Sequence, residues 1–240
     1  MNLYPHKTLN FFLKLVRSLC PLFCFKNKPP TYHKMSYSQE GEDLVLNRIF
    51  EDKDYGFYVD VGAHHPERYS NTYFFYKKGW MGINIDAMPG SMSLFNSKRP
   101  RDINLELAVM ESRGARTYFK FNEPALNSFS KTLSKNRSGL GNYKILEQVE
   151  IIGMPLSQIL NDNNLKGHKI DFLSIDVEGL DFEVLKSNDW SVHRPYIVLV
   201  EILESRLEEI QKDPICLFMK MHGYHLYAKT LNTVFFKCNS

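Results

Sequence analysis

Four short runs of strand-forming residues constrain this 240-residue chain more than any other feature: FYVDV (57–61), MGINID (81–86), IDFLSI (170–175) and YIVLVE (196–201). Each is mostly apolar, which suits strands covered on both faces. Helix-forming stretches lie between them. One is expected near 40–50, capped by Ser38, with Leu44, Val45, Ile49 and Phe50 inward. Another is TYFFYKK (72–78), capped by Ser70 and ended by Gly79. Others run from Pro89 and Gly90 to about Lys98, from Pro155, over 179–187, and once or twice over 204–222. Strands alternating with helices imply an α/β fold with a parallel sheet and right-handed crossovers. Further strands are predicted at 103–109 (INLELAV), 115–121 (ARTYFKF) and near 146–152. GYHLYAK and TVFFK, joined by Thr230, Leu231 and Asn232, form a closing antiparallel hairpin. Residues 122–144 are polar and read as a long loop, a feature that is often functional in compact domains.

Composition excludes several classes. With 43% hydrophobic residues the chain can bury one substantial core, and a 13% aromatic share argues against disorder. Its net charge is only +3 and its basic residues are scattered, so nucleic acid is not an expected partner. Cys20, Cys24, Cys216 and Cys238 lack zinc-like pairing and read as reduced thiols of a cytoplasmic protein. Residues 9–25 (LNFFLKLVRSLCPLFCF) are apolar, but Lys14, Arg17 and Pro21 interrupt them. They fall short of the roughly 20 clean apolar residues of a membrane span, and no signal cleavage site follows. They suit either peripheral contact at the inner membrane face or packing on the chain's own body or on a second subunit of a homo-oligomer. Residues 1–36 thus read as an apolar, amphipathic segment and linker ahead of one domain at 37–240.

In a sheet of this kind ligands sit at the carboxyl ends of the strands. Three ends carry acid or glycine there: Asp60-Val61-Gly62-Ala63, Asp86-Ala87, and Asp176-Val177-Glu178-Gly179. Gly62 lets the backbone approach a ligand closely. Asp60 can accept from an ammonium group, and Asp86 is placed to accept from two ribose hydroxyls. No G-x-G-x-x-G is present, so a pyrophosphate cradle is unsupported. Together these describe a nucleoside ligand without a pyrophosphate, of which S-adenosylmethionine (SAM) is the commonest in this architecture. Ala63, Ala87 and Ala108 are assigned to the same pocket.

Six segments carry a family resemblance: YSQEGEDLVL (37–46), YVDVGAHHPERYSNT (58–72), GWMGINIDAMPGS (79–91), LELAV (105–109), IDFLSIDVEGLDFEVLK (170–186) and RPYIVLVE (194–201). In this order the chain resembles the FkbM methyltransferases. That resemblance implies a Rossmann-like SAM-dependent methyltransferase fold, a mostly parallel seven-stranded sheet with helices on both faces and a C-terminal antiparallel hairpin. It also implies O-methylation of a sugar or natural-product hydroxyl, often for surface polysaccharide. One departure stands out: the family's Asn and spaced Gly after D-V-G-A are replaced by His64, His65 and Pro66.

An alcohol acceptor needs a base, a metal ion, or both. Asp176 or Glu178 is the expected base, or the two help hold a divalent cation with Glu201. His64 or His65 is the rival base, unless one packs the loop. Glu42, Asn71 and Glu201 are candidate acceptor contacts, and Tyr37, Gln39, Asp43, Asn127 and Ser128 weaker ones. Trp190 can stack on a sugar, whereas Trp80 is expected between strand and helix. Two other readings compete. A glycosyltransferase would want a metal-binding D-x-D, and a non-catalytic scaffold would not need acids at all three strand ends.

Overall fold

The computed structural model describes residues 32–163, 165, 169–203 and 206–239. The 9–25 segment, with Cys20 and Cys24, lies outside them. Among the described residues no helix is long and apolar enough to cross a membrane.

The elements run α1 (Glu42–Ile49), β1 (Phe57–Val61), α2 (Tyr73–Lys77), β2 (Met81–Asp86), α3 (Ser91–Lys98), β3 (Ile103–Glu106), β4 (Ala108–Val109), β5 (Gly114–Phe121), α4 (Lys131–Arg137), β6 (Ile145–Met154), α5 (Leu156–Asp162), β7 (Phe172–Ile175), α6 (Asp181–Lys186), β8 (Ile197–Glu201), α7 (Pro214–Met221), β9 (Tyr224–Lys229) and β10 (Thr233–Cys238). One-turn 3-10 helices cover Pro124–Leu126 and Ile210–Lys212. Seven strands form one sheet in the order β3-β2-β1-β7-β8-β10-β9. β1, β2, β3, β7 and β8 pair parallel, and the hairpin β9–β10 closes the sheet antiparallel through β8. The strand order reverses between β1 and β7, which opens a crevice at their carboxyl ends.

The strand pleat divides the core. Val59, Val61, Ile83, Ile85, Leu173, Ile175, Val198 and Val200 face one way and pack with Leu156, Ile159, Val184, Leu185 and Met219 from the helices. Tyr58, Phe172, Ile197, Leu199 and Phe235 face the other way and meet Leu46, Phe50 and Phe75. Each such buried side chain contributes about 1.5–3 kcal/mol. Trp80 is fully buried in that second cluster, between strand and helix as expected.

Three expectations change. The run 103–109 is two strands: β3 stays in the main sheet, and β4 joins a separate three-stranded sheet, β4-β6-β5. Residues 122–144 are no simple loop, since they hold a 3-10 turn and α4, whose cap Ser130 accepts from the Leu133 amide. α1 starts after Gly41 rather than at Ser38, whose hydroxyl instead binds Asp43.

Candidate active site

Three turns at the carboxyl ends of β1, β2 and β7 are stitched together by main chain. The amides of Gly62 and Ala63 both donate to the Ile85 carbonyl, at 2.9 and 3.0 Å, and the Asp176 amide donates to the Val61 carbonyl at 3.0 Å. Gly62 has φ 85, and a Cβ there would stand 1.8 Å from the Asp176 carbonyl oxygen, so no other residue fits. Beside this crossing lies a cavity lined by Gly62, His64, Tyr69, Ile85, Asp86, Ala87, Ala108, Asp176 and Glu178, among others. His64, Tyr69 and Glu178 also have positive φ, at 54, 55 and 55. Among the described residues these are the three non-glycine cases, and all three line this cavity. Backbone strain of about 1–3 kcal/mol at each persists only where surrounding structure enforces it, and it gathers at functional sites.

Asp86 accepts from two amides, His64 through Oδ2 and Met88 through Oδ1, each at 2.8 Å. Burial raises its pKa and these bonds oppose the rise. Each carboxylate oxygen keeps a free lone pair for a further donor. Ile85, Leu107, Ala108 and Val109 supply an apolar shelf nearby. The Nε2 of His64 is buried without a hydrogen-bond partner among the described residues. Burial and then Arg68 hold this imidazole below its ordinary pKa, so it is neutral at pH 7.

Carboxylates crowd the other wall. Asp176 is held well above the usual carboxylate range by its enclosure, then by Glu201, Asp181, Glu178 and Asp60. Solvent reaches Asp176 from the cavity and damps the effect of enclosure, so the crowding is its firmer cause. Glu178 forms an ion pair with Arg137 at 2.5 Å, and its carbonyl accepts from the Ser128 hydroxyl at 2.9 Å. Asp176 and Glu178 share the cavity through a turn, because β7 has already ended at Ile175. Asp181, which sequence reasoning missed, shapes that turn: its oxygens accept from Val177 and Gly179, both at 3.1 Å. An Asp at the head of a helix is the one local signal for it.

The metal expectation finds no support. Among the described residues no three of His, Cys, Asp and Glu are grouped to hold an ion, and Glu178 is taken by Arg137.

Other expected residues lie apart from the cavity lining. Asp60 is buried and accepts from the Thr72 hydroxyl at 2.8 Å, with its pKa pushed up to about 6 by burial. Ala63 packs with Met92 and Phe95. His65 is a turn lock, its Nδ1 accepting from the amides of Glu67 and Arg68 at 3.1 and 3.0 Å. Asn71 donates to Ser174 at 3.0 Å. Glu42 accepts from Thr230 at 2.8 Å and ties α1 to the hairpin turn. Asp43 is equally buried, accepting from Ser36, Ser38 and the Tyr37 amide. Glu201 stands at the end of β8, near the acids but outside the lining. Trp190 is buried, its indole donating to the Leu185 carbonyl at 2.9 Å, so it offers no sugar platform. Gln39, Asn127 and Ser128 do line the cavity.

Sequence reasoning also missed Arg99. It is fully buried and bonds Asp102, Tyr58 and Thr72 at 2.8, 2.8 and 3.0 Å. Its Nη1 donates to the Pro66 carbonyl and to Ser70, both at 3.4 Å, and so fixes the turn that carries Tyr69. Removing it would strand the buried Asp102 carboxylate, at a cost of about 3–5 kcal/mol.

The family model described as "Methyltransferase FkbM domain" matches residues 60–226, more than half of the chain and all of this cavity's lining but Gln39. No curated protein and no solved structure matches. With the match covering more than half of the chain and holding its three stitched turns, the chain belongs to the FkbM methyltransferase family.

Proposed function

We propose that this chain transfers a methyl group from SAM to a sugar hydroxyl in glycan synthesis, on the cytoplasmic side of the membrane. The observation that carries the reading is Asp86, a carboxylate anchored through both oxygens yet able to accept further hydrogen bonds, beside the crossing of turns that Gly62 permits. SAM fits these groups. Asp86 would take the ribose hydroxyls, and the shelf of Ile85, Leu107, Ala108 and Val109 would receive the adenine; Gly62, expected to let a ligand approach, instead lets the β1 turn cross the Asp176 main chain. When bound, SAM supplies a methyl group activated on a sulfonium.

The chain's own residues supply the rest. Asp176 accepts the acceptor's proton on a carboxylate oxygen, and its raised pKa brings it nearer the operating pH of a general base. Glu178, held by Arg137, supports that turn and keeps its own charge paired. Neutral His64 offers Nε2 to a ligand polar atom. Phe129 and Tyr118, which also line the cavity, would help exclude water from the transfer.

The test uses SAM labelled in its methyl group. Wild-type protein is expected to bind SAM and to label a glycan acceptor. Asp86→Ala should weaken SAM binding about 10–100-fold in calorimetry, matching the loss of charge-assisted hydrogen bonds. Asp176→Asn should bind SAM normally but turn over at least about 100-fold more slowly. Unaltered affinity in the first variant or unaltered turnover in the second would remove that residue from its role, and absence of SAM binding by wild type would end the proposal.

A further inference from the structure

We propose that Tyr69 is the acceptor's platform: a neutral pyranose rests on its ring in the cavity that holds Asp176, an inference that rests on the acceptor reading above. Tyr69 lines the cavity yet is 46% exposed. It also holds φ 55, a conformation that an aromatic residue adopts only when it is enforced. The enforcement is visible on both sides of it. Arg99, fully buried, bonds the Pro66 carbonyl and Ser70, and the Ser70 amide donates to the Tyr37 carbonyl at 3.0 Å. A well-anchored turn thus presents a large ring to open space rather than to the core, and core stability does not account for it.

The ring's setting matches a sugar. The His64 imidazole runs nearly parallel to it at 6.3 Å and an interplanar angle of 18°, and the Arg68 guanidinium lies over it at 4.4 Å, so the sugar takes the part of the ring that these two leave exposed. Gln39, Asp176 and Glu178 line the same cavity and can bond hydroxyls. An apolar face beside amide and carboxylate groups is what a pyranose needs, since its ring carbons are apolar and its edge is polar. Among the described residues the cavity lining holds Asp86, Asp176 and Glu178 but no Lys or Arg to draw an anionic acceptor, which makes the sugar neutral.

The experiment uses the full chain, labelled SAM, and methyl pyranosides of gluco, manno and galacto configuration beside a methyl glucuronide. Tyr69→Phe should keep the wild-type acceptor KM. Tyr69→Gly relieves the backbone strain, so it should melt no lower than wild type, yet its acceptor KM should rise roughly tenfold or more with SAM affinity unchanged. A wild-type acceptor KM in Tyr69→Gly would overturn the inference alone, as would weakened SAM binding, which would make Tyr69 a donor contact. Preference for the glucuronide would overturn the neutral-sugar assignment. Wild-type protein that binds SAM but methylates none of these sugars would overturn the acceptor reading and this inference with it.

Discussion

Glu201 keeps its proton to about pH 8, because burial and the carboxylates of Glu178 and Asp181 oppose its ionisation. An unfolded Glu releases its proton near 4.5, so between roughly pH 4.5 and 8 the unfolded chain binds fewer protons than the native one. Stability therefore falls as pH rises through that window. Asp60 and Asp181, each pushed up to about 6, act in the same direction over a lower range. Glu201→Gln should melt at a temperature that varies less between pH 6 and 8, and should exceed wild type at pH 8. Above about pH 8, where Glu201 is ionised, the substitution also removes a charge that raises Asp176, so in that range the rising limb of the rate profile should move to lower pH. Thermal melts and acceptor kinetics across pH check both, and unchanged curves would separate Glu201 from the cluster. At this scale the residues legible in the sequence were those on strand ends: Gly62, Asp86 and Asp176 follow from β1, β2 and β7. Arg99 and Arg137 were not legible, because what they do depends on partners distant in sequence. His64 and His65 are adjacent and chemically identical, and only the turn's geometry sends one ring to the cavity and the other to backbone amides.

Among the elements, α1 shows how a charged segment can be structural. Glu40 accepts from the Asn232 amide and side chain, both at 2.8 Å, and Glu42 accepts from Thr230, so two acids clasp the β9–β10 turn. Glu42→Ala should cost about 1–2 kcal/mol in urea unfolding, through the bonds lost from the Thr230 hydroxyl and the Glu40 amide. SAM affinity should stay at the wild-type value, and a weakened affinity would return Glu42 to the site. Charge pattern alone could not show this, since an acid pair ahead of a strand reads equally as a lid or a tether. α4 was hidden for another reason. KTLSKNR buries Ser134 alone, so it has no apolar period to detect, and its Ser130 cap was one Ser among several.

For the molecule as a whole, alternation of strands and helices carried the order of the parallel sheet, and GYHLYAK–TVFFK carried its antiparallel edge. The second sheet was not legible. β4 has two residues and pairs with Gly153 and Met154, a long-range parallel match that no local pattern encodes. The crossing at Gly62 has a further consequence. Turns from opposite halves of the sheet are joined there atom to atom, so neither can breathe alone. The amides of Gly62, Ala63 and Asp176 should exchange with deuterium at one common slow rate, set by global opening and slowed together when SAM is added. Faster exchange at Asp176 alone would mean the weld is loose. If the weld holds, the distance between the two substrates is a fixed property of the scaffold, and turnover owes nothing to a motion that brings the halves together.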